Sequence, residues 1–464
     1  MVLSRRDLLL AAGATAVSPP LGGLNFGPRA NPVPTPAQKA WHEAELGVVF
    51  HWDLHVFDGK RYVQSQNRIN PITDPNLFNP TKYDIDQWFE SVKGMGARFA
   101  ILTSCHETGF RLWQSDANPY CMKAIDWRGG RGDIVKDFVE ACHRHDVKPG
   151  IYFGARWNSH LDFFNFRPRE GATMTQAEYN RLIEAEILEL CTRYGEIFEI
   201  WFDGGILAPN EGGPDVLPIF EKHQPDCLFY HSNQRRDARW GGSESGTVPY
   251  PCWANWNHER YQTGNEPPDA LQVLARGVED GRSWCPAMSD APLRGANGRH
   301  EWFWEPDDEN AVYPLESLVR MYERSVGHNS TLIMGLTPDP DGLMPEVDTQ
   351  RCIEWGQAIQ QKYGSPLATT EFVGRAGRLD LPRPTKIDRV IIQERIGLGH
   401  RVHEYDLFGL VPGQGWRQIG EGSAIGHKRI QIFDPVTVQA LRLSVTRSVD
   451  TPVITNFSAF EATN

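Results

Sequence analysis

The stretch that decides the fold is Glu196-Ile197-Phe198-Glu199-Ile200-Trp201-Phe202-Asp203-Gly204-Gly205, or EIFEIWFDGG. Its apolar run, residues 197–202, is rich in β-branched and aromatic residues, as is typical of a parallel strand buried on both faces. The two glycines allow the backbone to turn away and a ligand to approach. A carboxylate at the C-terminal end of such a strand lies where (β/α)-barrel enzymes place their chemistry. Taken alone, the stretch favours a turn or capping role for Asp203, as in most Asp-Gly pairs, so the rest of the chain has to decide.

Outward from this stretch, short apolar runs alternate with amphipathic segments. Strands are predicted at residues 46–50, 98–103, 148–153, 197–202, 227–231 and 331–336. Helices are predicted at residues 84–95, 133–146, 178–194 and 313–326, the second capped by Asp133. Strand-to-strand spacings near fifty residues fit a (β/α)8-like TIM barrel with enlarged loops. Residues 232–314 are irregular and rich in Trp and Pro, which predicts long active-site loops.

The pattern changes around Gly364-Ser365-Pro366. Beyond this point the segments 389–393, 401–408, 428–433, 440–446 and 453–460 read as strands, which predicts an all-β sandwich. We therefore divide the chain into a signal peptide and linker at residues 1–31, a catalytic barrel at 32–365 and a carbohydrate-binding-like module at 366–464.

Composition narrows the function classes. The chain has 59 acidic and 47 basic residues, so 47 − 59 gives a net charge of −12, which argues against nucleic acid or an anionic membrane as partner. The 15 tryptophans suit sugar binding, because aromatic faces stack on the C–H faces of pyranoses. No apolar run is long enough to span a bilayer. The eight cysteines lack CxxC spacing, so we expect them to be mostly reduced and buried.

The N-terminus reads as a targeting segment. Ser4-Arg5-Arg6-Asp7-Leu8-Leu9-Leu10 is a twin-arginine pattern before an Ala-rich stretch, and Ala14-Thr15-Ala16 offers a cleavage site. The pattern predicts a periplasmic or secreted bacterial protein.

Several predicted barrel strands end in polar residues that could converge. The first runs into His51, the second into His106 and Glu107, the third into Arg156 and Trp157, and the fourth into Asp203. Each alone is more often structural, but the C-terminal ends of barrel strands are where ligands bind.

A second carboxylate is needed if Asp203 is to cut a glycosidic bond, because one group must be ionised and the other must hold a proton. Glu244 is the candidate, in a Gly/Ser-rich loop close to Trp240 and Trp253. Apolar neighbours there would favour the protonated form that a general acid needs. Taken alone, Glu244 would more often be an exposed loop acid.

Several longer motifs occur in order along the chain: LFNPTKYDIDQW (77–88), HETGFRLW (106–113), WRGGRGDIVKDFVEAC (127–142), YGEIFEIWFDG (194–204), RWGGSESG (239–246) and SVGHNSTLIMGLTPDPDGL (325–343). Together they resemble the α-L-fucosidases of glycoside hydrolase family 29, and more narrowly their α-1,3/1,4-specific subgroup. The resemblance covers nearly the whole mature chain. It implies that Asp203 is the nucleophile, that Glu244 is the acid/base, and that His51 and His106 bind sugar hydroxyls.

The chain departs from this family at residues of the pocket that should bind the sugar. The second-strand motif, usually Lys-His-His-Asp-Gly-Phe, is Cys105-His106-Glu107-Thr108-Gly109-Phe110 here. Asp53 stands where the family usually has Gly, Lys60-Arg61-Tyr62 replaces a Trp-Gly pair, and Met288 replaces a Glu of the subgroup. The catalytic pair is preserved but the hydrogen-bonding groups of the pocket differ, so the sequence leaves the identity of the sugar undetermined.

The predicted function is a retaining exo-glycosidase acting on terminal α-L-fucosyl residues of a glycan, with no metal or other cofactor. Its carboxyl groups should lie about 5 to 5.5 Å apart. His51, His106 and Glu107 are expected to bind the sugar ring, and Trp157, Trp253 or Trp302 to stack on it. Three alternatives remain: a hydrolase of another sugar such as an α-L-galactoside, a non-catalytic sugar-binding protein, and a metal-dependent hydrolase. The last would use ligands drawn from His51, Asp53, His55, His106 and Glu107.

Overall fold

The computed structural model describes residues 31–232, 234–257 and 270–462. The predicted twin-arginine segment lies outside them. All eight cysteines lie within them, buried and unpaired, as predicted. Among the described residues, no helix combines the length and the hydropathy needed to cross a bilayer.

Eight parallel strands form the predicted barrel. In chain order β1 to β8 are Leu46–Phe50, Phe99–Cys105, Lys148–Phe153, Glu199–Trp201, Leu228–Tyr230, Arg239–Trp240, Ala287–Pro292 and Ser330–Leu336. They are hydrogen-bonded in the order β5-β4-β3-β2-β1-β8-β7-β6, every pair parallel. Within the described chain β5 and β6 do not pair, so the barrel is nearly closed.

Nine helices are found in the described part of the chain. They are α1 Pro36–Ala44, α2 Gln64–Asn67, α3 Ile85–Met95, α4 Ile134–Arg144, α5 Gln176–Arg193, α6 Leu217–His223, α7 Ala270–Arg276, α8 Leu315–Arg324 and α9 Glu346–Tyr363. Their starts follow local chemistry, because the side chains of Asp84 and Asp133 accept from backbone N–H groups of the first turns of α3 and α4. The four predicted helices are confirmed, with ends shifted by one to two residues.

All six predicted barrel strands are present, but the prediction that residues 232–314 form only long loops was partly wrong. That region contains β6, β7 and α7, together with a short antiparallel pair, Asn255–Trp256 with Ser283–Trp284. The sequence signal failed because β6 has only two residues and β7 reads Ala-Met-Ser-Asp-Ala-Pro, which is no apolar run.

The barrel interior follows the period-two alternation of its strands. Val49, Ile101, Trp201 and Met288 lie in one inner apolar cluster, which Trp41 of α1 joins. Their neighbours along the strands face the outer helices and belong to another cluster. Because side chains alternate, Asp203 follows Trp201 onto the inner side.

The C-terminal region is all-β, as predicted. Its strands are β9 Ala368–Val373, β10 Ala376–Glu394, β11 Val402–Val411, β12 Gly415–Gly422, β13 Arg429–Ser448 and β14 Val453–Glu461. They pair antiparallel as one six-stranded sheet, in the order β9-β14-β10-β13-β11-β12, with its own apolar core. The strands are longer than predicted, and β9 and β12 were missed. The predicted boundary at residues 365/366 falls between α9 and β9, and the division into modules stays a prediction.

Charged and polar side chains join this sheet to the barrel. Glu45, after α1, accepts hydrogen bonds from Lys428 Nζ at 2.5 Å and pairs with His427 Nε2 at 2.7 Å. Despite its burial, the pKa of Glu45 is held well below its usual value, mainly by the charge of Lys428. Asn329 accepts from the backbone N–H of His427 at 2.7 Å. Through these contacts the sheet braces the barrel, and sugar binding by the C-terminal region stays a prediction.

Candidate active site

Asp203 lies at the C-terminal end of β4, where the sequence placed it. The hydroxyl of Tyr152, from β3, donates to Asp203 Oδ2 at 2.9 Å. The next residue, Gly204, has φ of +64°, and a Cβ there would lie 2.8 Å from Arg156 Cδ and 3.0 Å from Trp157 Cζ3. Only glycine fits this turn, so the turn that presents Asp203 depends on Gly204.

His51 and His106 flank this carboxylate from β1 and β2. The imidazole of His51 lies 6.0 Å from that of His106 and 5.5 Å from the ring of Tyr152, measured between centroids. Burial lowers the pKa of His51 to about 3, although a hydrogen bond to the backbone of Val49 opposes the shift. Burial, together with the nearby His51, lowers the pKa of His106 well below its ordinary value. Both rings are therefore neutral, and Nδ1 of each has no hydrogen-bond partner in the described structure.

Glu107 enters the same pocket but is already bonded. Its Oε2 accepts from the hydroxyl of Tyr62 at 2.9 Å, and its Oε1 accepts from Arg68 Nε at 2.6 Å. Burial raises the pKa of Glu107 to about 7, against the opposing charge of Arg68, and the nearby Asp203 adds to the rise. A sugar hydroxyl that bonds to Glu107 must therefore share an oxygen with Tyr62 or Arg68.

The departures from the family pattern meet in space. Tyr62, from the segment that replaces the Trp-Gly pair, contacts Glu107, which replaces a histidine. Thr108, which replaces an aspartate, donates to Asp53 Oδ1 at 2.5 Å, and Asp53 replaces a glycine. In these two pairs, each departure from the family pattern supplies the hydrogen-bond partner of another.

Glu244 lies in the loop between β6 and β7. The loop is fixed at both ends by β7, because Gly241 N donates to Met288 O at 2.6 Å and Gly246 N donates to Asp290 O at 2.8 Å. Glu244 Oε2 accepts from Trp302 Nε1 at 2.9 Å and lies 2.8 Å from Nδ1 of His300.

The apolar surroundings predicted for Glu244 were wrong. Its side chain is 40% exposed and contacts polar groups. The indole of Trp240 points elsewhere and donates to Asp290 Oδ1 at 2.9 Å. Trp253 is 5% exposed, and its ring packs against His400 and His403, with centroids 5.4 and 5.1 Å away. Because this ring is covered, the prediction that Trp253 stacks on sugar was wrong as well.

Asp203 and Glu244 are connected through a chain of side-chain contacts. The ring of Trp302, which holds Glu244, lies 5.1 Å from the ring of His51, which in turn faces Tyr152 and Asp203. Asp290, on the inner side of β7, is 3% exposed. Burial raises its pKa well above the ordinary value, and the charges of Glu244 and Asp203 raise it further. Burial and the two nearby carboxylates therefore favour the neutral form of Asp290.

The other predicted ligands are placed as follows. Trp302 lines the pocket and packs on Gly335 of β8, where a Cβ would lie 2.5 Å from its ring. Trp157 adjoins Gly204, but the guanidinium of Arg68 lies 3.5 Å and that of Arg156 4.6 Å from its ring centroid. A sugar would have to displace one of them or use another part of the ring. Met288 is fully buried in the barrel interior and is not a ligand.

The metal site suggested for the barrel mouth does not form. In the described part of the chain, His51, Asp53, His55, His106 and Glu107 do not bring three ligand atoms within reach of one ion. Glu107 is bonded to Tyr62 and Arg68, and Asp53 to Thr108.

Sequence reasoning missed several residues of this site. Tyr152 could have been found from strand parity, because it lies on the inner side of a recognised strand. Asp290 was missed because its strand, β7, was not recognised. Arg68, Tyr62 and His300 lie in loops, where no periodicity marks the direction of a side chain.

Several known proteins resemble this chain in sequence and in fold. The family model described as alpha-L-fucosidase matches residues 28–364. Alpha-L-fucosidase 1 of Arabidopsis thaliana is 26% identical over 466 residues, covering 91% of this chain and 86% of that protein. The crystal structure of a candidate α-L-fucosidase from Bacteroides thetaiotaomicron is 52% identical, covers 93% of this chain and 100% of that one, and has a TM-score of 0.90. A glycoside hydrolase 29 family member from an unknown rumen bacterium is 29% identical, covers 94% and 78%, and has a TM-score of 0.80.

Proposed function

Because the chain belongs to the α-L-fucosidase family, glycoside hydrolase family 29, we propose that it hydrolyses terminal α-L-fucosyl residues of glycans. The observation that supports the proposal is that Asp203 and Glu244 each accept from a fixed donor, Tyr152 and Trp302, and that both act electrostatically on Asp290. The α-1,3/1,4 linkage preference stays a prediction.

The proposed reaction is a double displacement with retention. Asp203 attacks the anomeric carbon while the glycosidic C–O bond breaks, and Glu244 gives its proton to the leaving oxygen. Glu244 then removes a proton from water, which attacks the same carbon and releases Asp203. Tyr152 holds Asp203 Oδ2, which leaves the other oxygen for attack. Retention requires the two carboxyl groups to lie about 5 to 5.5 Å apart.

The neutral imidazoles suit recognition of hydroxyl groups. A neutral ring nitrogen either donates or accepts, so His51 and His106 match uncharged hydroxyls without a buried charge. A site built to pair particular hydroxyls discriminates strongly against sugars that leave those groups unpaired. The Glu107, Tyr62 and Arg68 cluster is therefore where we expect the choice of sugar to be made.

Chemical rescue tests the mechanism. Asp203→Ala should lose activity by several orders of magnitude and, with azide, should yield a glycosyl azide of inverted configuration. Asp226→Asn is the control variant, because Asp226 is an exposed acid before β5, and it should keep wild-type rates. If Asp203→Ala turned over like the wild type, Asp203 would not be the nucleophile.

A panel of aryl glycosides tests the sugar. We expect cleavage of the α-L-fucoside, with the α-L-galactoside as the nearest competitor because it adds one hydroxyl at C6. Cleavage of the galactoside alone would replace the fucoside proposal while leaving the two-carboxylate chemistry intact.

Export by the twin-arginine route is a further part of the proposal. It rests on the sequence of residues 4–10, which lie outside the described structure. Replacing Arg5 and Arg6 together by Lys should retain the full-length protein in the cytoplasm. Unchanged export of that variant would refute the twin-arginine route.

A further inference from the structure

The connection from β7 to α8 carries three acids that converge away from the reacting groups. One carboxylate oxygen each from Glu301, Glu305 and Asp308 lie within 4.8 Å of one another. The three residues are 3%, 2% and 8% exposed. Buried carboxylates this close together repel one another and need a compensating charge.

Two oxygens of this acidic trio have no donor. Glu301 Oε2 and Asp308 Oδ2 are both buried and accept from no other group in the described structure, so they can bond to each other only by sharing a proton. Glu301 Oε1, by contrast, accepts from Asn297 Nδ2 at 2.7 Å. Both oxygens of Glu305 have donors. Arg299 Nη2 donates to Oε1 and to Oε2, and the backbone N–H of Tyr62 also donates to Oε1. The orphaned oxygens belong to two different residues of the same trio.

The cations nearby lie against Glu305 and the bonded oxygen of Glu301, and Arg61 Nε lies 4.0 Å from Glu305 Oε2. Arg299 chelates Glu305 at 2.7 and 2.9 Å and lies 3.4 Å from the bonded oxygen of Glu301. Arg294 is paired with Asp348 and reaches Asp308 at its backbone carbonyl. Burial, together with the neighbouring Asp308, raises the pKa of Glu301 to about 7.

We propose that the acidic trio is a binding site for a divalent cation of the calcium type, seated between Glu301, Glu305 and Asp308. All the converging atoms are oxygens, and such donors suit hard cations and disfavour zinc or copper. The ion would bind the two oxygens that lack a donor, in place of the proton that they would otherwise share.

The position of the trio gives the ion a role. His300 and Trp302 flank Glu301 in the sequence, and both lie against Glu244 Oε2. Glu305 is bonded to the backbone of Tyr62, whose hydroxyl reaches Glu107. An ion at the trio would thus fix the segment that orients Glu244, an effect on catalysis that rests on the proposed role of Glu244. Ion binding itself does not depend on that role.

Direct metal binding tests the inference on the full mature protein. After removal of metal with EGTA, Tb³⁺ should give luminescence sensitised by Trp302 and Trp304, and Ca²⁺ should displace it. Saturating Ca²⁺ should raise the Tm by a few degrees, because a ligand that binds only the folded state stabilises it. Mg²⁺ at the same ionic strength should do less, because it dehydrates reluctantly.

Two variants and a control locate the site. Glu301→Gln and Asp308→Asn should each abolish the Ca²⁺-dependent Tm shift and the displaceable luminescence. Without Ca²⁺ each should be at least as stable as the metal-free wild type, because a like-charge contact is removed. Asp307→Asn changes an exposed acid of the same loop by the same charge and should bind as the wild type does.

Three outcomes would overturn the inference. The first is a wild-type protein with neither a Ca²⁺-dependent Tm shift nor displaceable luminescence. The second is an Asp308→Asn variant that binds as tightly as Asp307→Asn. The third is a Tm that depends on pH but not on Ca²⁺, since Glu301 and Asp308 would then share a proton.

Discussion

Replacing Trp302 by Phe tests how Glu244 is held. The substitution removes the indole N–H that lies 2.9 Å from Glu244 Oε2 and keeps an aromatic ring beside His51 and over Gly335. Glu244 becomes a carboxylate as it gives up its proton, and a hydrogen bond to a charged group contributes about 1.5 to 3 kcal/mol. At 1.36 kcal/mol per factor of ten, kcat/KM should fall by about 10- to 100-fold.

The loss should depend on the leaving group. Aryl α-L-fucosides with poor leaving groups need proton donation from Glu244, whereas those with good leaving groups leave without it. Measuring kcat/KM across such a series should therefore give a steeper dependence on leaving-group pKa for Trp302→Phe than for the wild type. His300→Ala is the matched comparison, because His300 contacts the same oxygen but is 47% exposed and should contribute less.

Two results would refute this reasoning. An unchanged kcat/KM for the poorest leaving group would mean that the indole does not orient Glu244. An equal loss for every leaving group would mean that Trp302 acts through sugar binding or packing instead of through the proton donor.

Three further predictions concern stability and the turn at the site. Glu107 has a pKa of about 7 against an ordinary 4.5, so its contribution to stability is full below pH 4.5 and is lost as the pH rises to about 7. Thermal melts across this range should show that the free energy of unfolding falls by roughly 3 kcal/mol, and Glu107→Gln should remove this decline. Gly204→Ala should cost about 1 to 2 kcal/mol in denaturant unfolding and should depress activity, because φ is +64° and the Cβ would crowd Arg156; wild-type stability and rates would contradict this. Glu186→Gln should cost about 3 to 5 kcal/mol, because it leaves the fully buried Arg111 unpaired; a loss below 1 kcal/mol would show that the pair is not needed.

Local patterns in the sequence were sufficient for the frame of the molecule. The apolar run before Asp203 predicted a strand buried on both faces, with a carboxylate at its C-terminal end. The capping acids Asp84 and Asp133 marked where helices begin. These features depend on neighbours within a few residues along the chain, so the sequence carries them directly.

Where periodicity was weak, the prediction failed. β6 and β7 were read as loop, and Asp290 was lost with them, because strands of two residues or of mixed polarity obtain their pairing from neighbours in the barrel. Trp253 was assigned to the sugar on composition alone, whereas the structure covers its ring with His400 and His403.

The sequence by itself determined the barrel, the all-β C-terminal region and the strand end that carries Asp203. Only the tertiary structure decided the partners of the site: Tyr62 bonds to Glu107 from 45 residues away, and Trp302 bonds to Glu244 from 58 residues away. The physical reason is range. Backbone propensity and side-chain alternation act between near neighbours, whereas a hydrogen bond between two loops exists only after the strands that carry them have packed.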